Sequence, residues 1–138
     1  MASIRIGIGE NMEERYLFKG KEKDSGKWLE WNAIAGIPHN VTILTDTICQ
    51  CTGLRDKNGK LIWENDIMVA HLDDDYPEDE TYIRILWHGS GFCSKEKGSK
   101  DMQQVDEFDQ EHFEVIGNIF DNPELLKSEE LLFPREYW

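Results

Sequence analysis

The stretch CTGLRDKNGKLIWENDIM, residues 51–68, constrains the fold more than any other part of the chain. Asn58 and Gly59 separate two apolar-containing segments, and Asn-Gly is a strong β-hairpin signal because both residues tolerate the positive φ of a type I′ turn. Asn65 lies in a second tight turn, before residues 66–72, whose side chains alternate as in a strand. The stretch predicts successive turns between antiparallel strands, and none of it requires a catalytic explanation.

Period-two hydrophobicity continues along the chain and predicts a mainly β protein. The predicted strands are short aromatic or β-branched runs bounded by turn residues: 15–20, 27–34, 46–54, 82–89 and 112–120. We expect the strand after Asn65 to pair antiparallel with 82–89 across an acidic loop. Polar residues 94–111 predict an exposed excursion with a helical turn near 102–105. Asn122 and Pro123 predict the N-cap and first position of a short C-terminal helix.

Length and composition favour one folded domain. A chain of 138 residues can hold a single modest core. Its five Trp, six Phe and four Tyr are too many aromatic residues for a disordered segment. Apolar runs fall well short of the roughly 20 residues that cross a bilayer, and residues 1–15 lack the apolar core of a secretory signal. We therefore expect a soluble, cytoplasmic protein with no membrane partner.

Cysteine and histidine spacing predicts neither a disulfide framework nor a metal site. Cys49, Cys51 and Cys93 are an odd number in a chain without an export signal, which favours free thiols. With His88 they could formally make a zinc-binding Cys3His set, but no pair has the spacing of a zinc knuckle. Calcium binding by the acidic run is disfavoured because Glu78 stands where an EF-hand loop requires Gly. No metal or cofactor is expected.

Possible catalytic motifs fail on their required context. Residues 7–12 carry two of the three glycines of a dinucleotide fingerprint, without the helix and strand that should follow. Residues 88–92 lack the Gly-x-Ser-x-Gly spacing of a nucleophile elbow. The four histidines show no spacing such as His-Glu-x-x-His. We therefore predict no catalytic residues and do not expect an enzyme.

Negative charge is concentrated in the second half of the chain. Residues 1–63 contain nine Lys or Arg and eight Asp or Glu, whereas residues 64–138 contain six and twenty. The second half would therefore repel a nucleic-acid backbone. Six carboxylates form the densest cluster and are our candidate partner surface: Asp73, Asp74, Asp75, Glu78, Asp79 and Glu80. We expect this surface to face a basic protein, the alternative being a solvated surface that only maintains solubility.

Three segments occur together in an order that resembles one protein family. TGLRDKNGKLIWENDIM (52–68) is followed by FEVIGNIFDNPELL (113–126) and preceded by RYLFKGKEKDSGKWLEW (15–31). The combination closely resembles the YopX family of phage and prophage proteins, over roughly residues 15–126. The family usually has Glu-Gly-Asp where this chain has Asn65 in the Gly place, and Asn is the next-best residue for a left-handed turn.

The resemblance implies a phage origin, a bacterial host cell and a core of the SH3-like barrel type with about five strands, but no assigned activity. We accordingly divide the chain into an N-terminal extension (1–14), an N-terminal β-hairpin segment (15–45), an SH3-like barrel core (46–126) and a C-terminal tail (127–138). Five residues are expected to serve structural turns: Asn58, Gly59, Asn65, Gly117 and Pro123.

Three functions are compatible with these features. The first is a non-catalytic module that binds or regulates another protein, the second is an acidic decoy that mimics DNA, and the third is an enzyme with an unrecognised carboxylate site. The aromatic residues of the strands are expected mainly in the core, with one or two available for an exposed binding patch. The apolar and aromatic residues 131–138 predict self-association as a homo-oligomer.

Overall fold

Antiparallel strands are the main regular secondary structure of residues 13–126, the part of the chain that this computed structural model describes. The described chain divides into two compact units, with the boundary between Leu54 and Arg55. From the length of the chain we had expected a single core. The predicted N-terminal extension up to residue 12 and the tail at 127–138, with its predicted self-association, lie outside the described residues.

The first unit contains three strands in the order β2-β1-β3. Their bounds are β1 Leu17–Lys21, β2 Trp28–Asn32 and β3 Cys49–Arg55, of which the last residue belongs to the second unit. β1 and β2 form the predicted antiparallel hairpin, with Phe18 opposite Trp31. The alternation of β3 is also as predicted, since Cys49 and Cys51 are both fully buried and all three cysteines are free.

The second unit is built on a five-stranded antiparallel sheet in the order β8-β7-β6-β5-β9. The strands of this unit are β4 Leu61–Trp63, β5 Asp66–Ala70, β6 Thr81–His88, β7 Gly91–Glu96, β8 Met102–Gln104 and β9 Glu114–Asn118. β5 and β6 pair antiparallel as predicted, with Ala70 opposite Thr81. The strands at the two edges of the five-stranded sheet, β8 and β9, are not hydrogen-bonded to each other, so this sheet is open. We expected an SH3-like barrel or roll, and the mainly β prediction is confirmed without a closed barrel.

Residues 94–111 are more regular than their polar sequence predicts. They contain the end of β7, all of β8 and a helix, α1, at Glu107–His112, where we expected an exposed excursion. Lys95 is buried within β7, and its ammonium donates to the backbone carbonyl of Ser99. Because the Ser99 carbonyl accepts a hydrogen bond from the buried Lys95 ammonium, the segment that contains Lys95 can pair as strand β7. Seven strands, rather than about five, therefore fall within the region predicted as the core.

The predicted turns differ in their geometry. Asn65 has a φ of 72°, so the left-handed conformation expected at that position is confirmed. At the hairpin turn Gly59 has a φ of 82°, but Asn58 does not have a positive φ, so a type I′ turn was the wrong prediction. The reason is the side chain of Asp56, whose Oδ1 accepts from the backbone N–H groups of Asn58 (2.9 Å) and Lys60 (2.8 Å) and fixes a different turn.

The C-terminal part of the described chain forms a strand and a single 3-10 turn. Gly117, expected at a turn, lies within β9 opposite Ile67. Pro123 opens the 3-10 turn Pro123–Leu125 and takes the first position, as predicted. The side chain of Asn122 does not cap this turn, because its Oδ1 accepts from the backbone N–H of Asn118 at 3.2 Å instead.

One hydrophobic cluster of the second unit lies around two fully buried side chains, Ile67 of β5 and Leu126. Partly buried hydrophobic residues pack against them: Tyr82, Ile116, Ile119 and Leu125. The last residues of the described chain therefore complete the core and hold β9 against β5. Across residues 13–126, no helix is both long enough and apolar enough to cross a membrane.

Candidate partner-binding surface

All six predicted surface carboxylates lie in the loop that joins β5 to β6. Residues 71–80 of this loop are exposed throughout. The strands on either side are paired up to the loop, with Ala70, which is buried, opposite Thr81, which is partly exposed. A rigid sheet therefore presents the loop to solvent, as expected for a surface that meets a partner.

The loop is held in shape by its own hydrogen bonds. The carboxylate of Asp73 accepts from the backbone N–H of Asp75 at 2.9 Å, and its carbonyl accepts from Tyr76 at 3.1 Å. His71 Nδ1 donates to the carbonyl of Pro77 at 2.7 Å. Asp79 closes a further turn by donating its N–H to the Tyr76 carbonyl at 2.9 Å. These bonds order the backbone while the carboxylates remain at the surface.

Strand register brings further carboxylates to the same end of the five-stranded sheet. Glu96, the last residue of β7, lies opposite Ile83, near the start of β6. Glu114, the first residue of β9, lies opposite Val69, next to the end of β5. Asp101 immediately precedes β8, whose Met102 pairs with Lys95. We call this the acidic end, defined by residues 71–80 with Glu96, Asp101 and Glu114. Sequence reasoning missed the last three because their positions depend on register between strands.

Lysines at the acidic end are too few to neutralise it. Lys97 follows β7, and its ammonium lies 5.4 Å from the centroid of the Tyr82 ring. Lys100 is exposed in the loop between β7 and β8, and the ammonium of Lys95 donates to the Ser99 carbonyl in the same loop. Against these lysines stand nine carboxylates. Within residues 13–126 none of the six predicted surface carboxylates forms an ion pair, so their charge is available to a partner.

The carboxylates of the acidic end are spread over the surface and do not converge on one point. Hydrogen bonding to Glu80, whose Oε2 accepts from the Tyr82 hydroxyl at 2.9 Å, raises the pKa of Tyr82. Among the described residues, no three His, Cys, Asp or Glu side chains converge closely enough to hold a metal ion. What the arrangement offers is a strong local negative potential over an ordered loop.

α1 adds acidic side chains before β9. Its N-cap Asp106 and its third residue Asp109 form a capping box, in which Asp106 Oδ1 accepts from the Asp109 N–H at 3.0 Å. Burial raises the pKa of Asp109, and the neighbouring charge of Asp106 acts in the same direction. The Asp-x-x-Asp spacing ahead of α1 is the signal that could have located this helix from sequence.

The predicted structural turns support the sheet and do not line the acidic end as binding groups. Asn65 is buried, and its Oδ1 accepts from Arg84 Nη2 at 3.0 Å. Asp56, which sequence reasoning did not single out, joins the hairpin turn to β9 because its Oδ2 accepts from the Val115 N–H at 2.8 Å. Asn58 donates its side-chain N–H to Glu114 at 2.9 Å. These are structural contacts.

Most strand aromatics are in or beside the cores, but the β6–β7 hairpin carries an aromatic pair of which Trp87 is exposed and Phe92 is half-buried. Trp31 and Trp63 are buried, whereas Trp87 is 52% exposed. Trp87 and Phe92 face each other across β6 and β7, with ring centroids 5.1 Å apart in a T-shaped arrangement. The hairpin turn near these residues is at the end of the sheet opposite to the acidic end, so the two surfaces are separate.

Comparison with known proteins gives one family and a distant structural neighbour. The family described as YopX protein matches residues 10–127, which confirms the resemblance inferred from the three sequence segments. No curated protein matches the chain. Among solved structures, the crystal structure of protein EF1440 from Enterococcus faecalis is similar at 27% identity, over 78% of this chain and 75% of that one, with a TM-score of 0.42.

Proposed function

The chain belongs to the YopX protein family, and on that premise we propose that it is a non-catalytic module that binds a basic surface of another protein. The binding surface is the acidic end. One observation carries the proposal: six exposed carboxylates that form no ion pair with residues 13–126 project from one ordered loop, beside three more that strand register places at the same end.

Binding of this kind requires no catalytic group. The carboxylates are spread along the loop, and their shared property is negative potential rather than a common reacting centre. A general acid or base would have to be positioned against a substrate in a cleft. The exposed loop instead presents negative charge on an ordered backbone, and these are the properties needed to recognise a basic protein surface. The SH3-like relationship that the sequence resemblance implies stays a prediction beside this proposal.

Electrostatic attraction should act mainly on the rate of association. Charges at the rim of an interface steer the encounter of two proteins more than they retard its dissociation. The effect should weaken with salt, because the Debye length falls from about 10 Å at 0.1 M to about 3 Å at 1 M ionic strength. A partner recovered at low salt should therefore be released as the salt concentration rises.

The test begins with capture of partners from bacterial lysate on the immobilised full chain, followed by binding kinetics on the recovered protein by surface plasmon resonance. The variant replaces Asp73, Asp74 and Asp75 with lysine. A matched control makes the same change of charge at three exposed carboxylates outside the acidic end: Asp24, Asp46 and Glu124. Circular dichroism would verify that both variants keep their strands.

We expect the loop variant to slow association by roughly tenfold or more and the control to change it by much less. Equal effects of the two variants would show that only net charge matters. Binding that does not depend on salt, or tight binding of the unmodified chain to duplex DNA, would contradict the proposal.

The acidic decoy is a narrower form of the same proposal, in which the basic surface is the DNA-binding face of a host protein. It predicts that duplex DNA and this chain compete for the partner. A gel-shift assay with the recovered partner would show the chain displacing DNA in that case, and a ternary complex would exclude the decoy while leaving the module.

A further inference from the structure

The first unit contains a cleft that is independent of the acidic end. It has a volume of about 270 Å³ and lies between β2 and the loop that follows it. Glu30 and Trp31 line it from the strand, and Ile37, Pro38 and His39 line it from the loop. Ligand sites for drug-sized molecules and cofactors run from about 300 to 1,000 Å³. The cleft is therefore of a size for one large side chain.

The loop that forms the cleft is fixed by the side chain of Asn32. Its Oδ1 accepts from the backbone N–H groups of Ile34 (3.0 Å) and Ala35 (2.7 Å). The carbonyl of Asn32 accepts from Gly36 at 2.9 Å, and Gly36 has a φ of 72°. Asn32 is itself buried. Because these bonds hold the loop, the cleft is formed before any ligand enters, which lowers the entropic cost of binding.

The polar side chain that gives the cleft its negative charge is Glu30. This side chain is half-buried and makes no hydrogen bond or ion pair with any residue from 13 to 126. Lys19 lies opposite Glu30 across β1 and β2, but its ammonium lies 4.6 Å from the centroid of the Trp28 ring. A second lysine, Lys21, also has its ammonium near that ring, at 5.4 Å. The carboxylate of Glu30 is thus left for an external cation.

We propose that this cleft binds one arginine side chain of a protein partner. The aliphatic stem would lie along Ile37 and Pro38, since long cationic side chains bury their methylene groups on apolar surface while the charged head stays at a polar rim. The guanidinium would donate to the Glu30 carboxylate, which it can meet with two parallel N–H groups. This site goes beyond the acidic end and does not depend on it.

The probe is N-acetyl-arginine amide, titrated into the isotope-labelled full chain and followed by backbone and indole N–H resonances. The matched ligand is the citrulline analogue, which has nearly the same shape but no charge. We expect saturable shifts confined to residues 30–39, with the citrulline analogue at least about fivefold weaker, the scale of a half-exposed ion pair. Glu30→Gln should remove this preference, and a dispersed spectrum would show that the variant is folded.

Equal binding of the two ligands, shifts outside residues 30–39, or an unchanged preference in Glu30→Gln would each overturn the proposal. The variant with lysine at Asp73, Asp74 and Asp75 should bind the arginine probe normally, because those carboxylates belong to the other unit. The same variant is the test of the acidic end, so a failure of one proposal can be told from a failure of the other.

Discussion

Gly117→Ala should destabilise the second unit through a steric clash. A Cβ added at Gly117 would lie 2.4 Å from Asn122 Oδ1, 2.6 Å from its Cγ and 2.9 Å from its Cβ. These separations are far inside van der Waals contact, and they involve the whole side chain rather than a flexible tip. Gly117 does not have a positive φ, so the requirement for glycine comes from the close approach and not from backbone conformation.

The size of the effect follows from the two contacts that must give way. Forcing a methyl group into a packed site costs about 1–3 kcal/mol. Moving Asn122 also breaks its hydrogen bond to the Asn118 N–H, at 3.2 Å, a bond worth about 1 kcal/mol. We expect Gly117→Ala to lower the free energy of unfolding by roughly 2–4 kcal/mol in total.

Urea denaturation would measure this loss, and a double-mutant cycle would assign it. In Gly117→Ala with Asn122→Gly, all three clashing atoms are absent, so the double variant should be more stable than the sum of the single changes by about 1 kcal/mol or more. Gly91→Ala is the matched control, since Gly91 is also in a strand and its added Cβ would meet nothing within 4 Å. Equal stability of the Gly117 and Gly91 variants, or strict additivity in the cycle, would refute the reasoning.

Three further predictions concern single sites, and a fourth concerns the C-terminal tail. Asn65→Gly should lower the free energy of unfolding by about 1 kcal/mol, because it removes the acceptor of the hydrogen bond from Arg84. Asn65→Val should lower it further, because valine does not tolerate the positive φ at this position. Urea denaturation would measure both variants, and equal stabilities would contradict this prediction. Asp56→Ala should lower the free energy of unfolding by about 3 kcal/mol, because three backbone N–H groups lose the carboxylate that accepts from them. Asp56→Asn should lower it by less. The raised pKa of Asp109 means that the folded carboxyl group holds its proton more tightly than the unfolded chain does, so the free energy of unfolding should fall as pH rises above the ordinary pKa of aspartate, about 4. Asp109→Asn should reduce that fall, and an unchanged pH profile would exclude the effect. Light scattering should show that the full chain is an oligomer and that a chain ending at Lys127 is a monomer. A monomeric full chain would refute this prediction.

Local signals in the sequence were sufficient for the elements that depend on neighbouring residues. Gly59, Asn65 and Pro123 all serve turns, because glycine, asparagine and proline impose or tolerate particular backbone angles wherever they occur. The β5–β6 pairing was predictable for the same reason, since two apolar strands flank a polar loop. The position of the six loop carboxylates followed from that pairing.

The remaining features depend on contacts between distant parts of the chain. β7 was missed because Lys95 reads as a solvent-exposed residue, whereas in the structure its charge is satisfied by a carbonyl four residues later. Gly117 was assigned to a turn because its contact with Asn122 cannot be read from residue type. The cleft beside Glu30 was not predicted either, since it exists only after the Asn32 side chain has folded the following loop.

The contact between Asp56 and β9 has a consequence for how separate molecules meet. β9 is an edge strand, and the edge of a sheet can recruit a strand from another chain and begin aggregation. Here the outward N–H of Val115 is taken by the Asp56 carboxylate, and the carbonyl of Phe113 accepts from the Lys57 N–H at 3.1 Å. The hairpin turn thus covers the beginning of β9, where the outward backbone groups could otherwise pair with a second molecule. The other edge strand, β8, is only three residues long, which gives an incoming strand little to pair with.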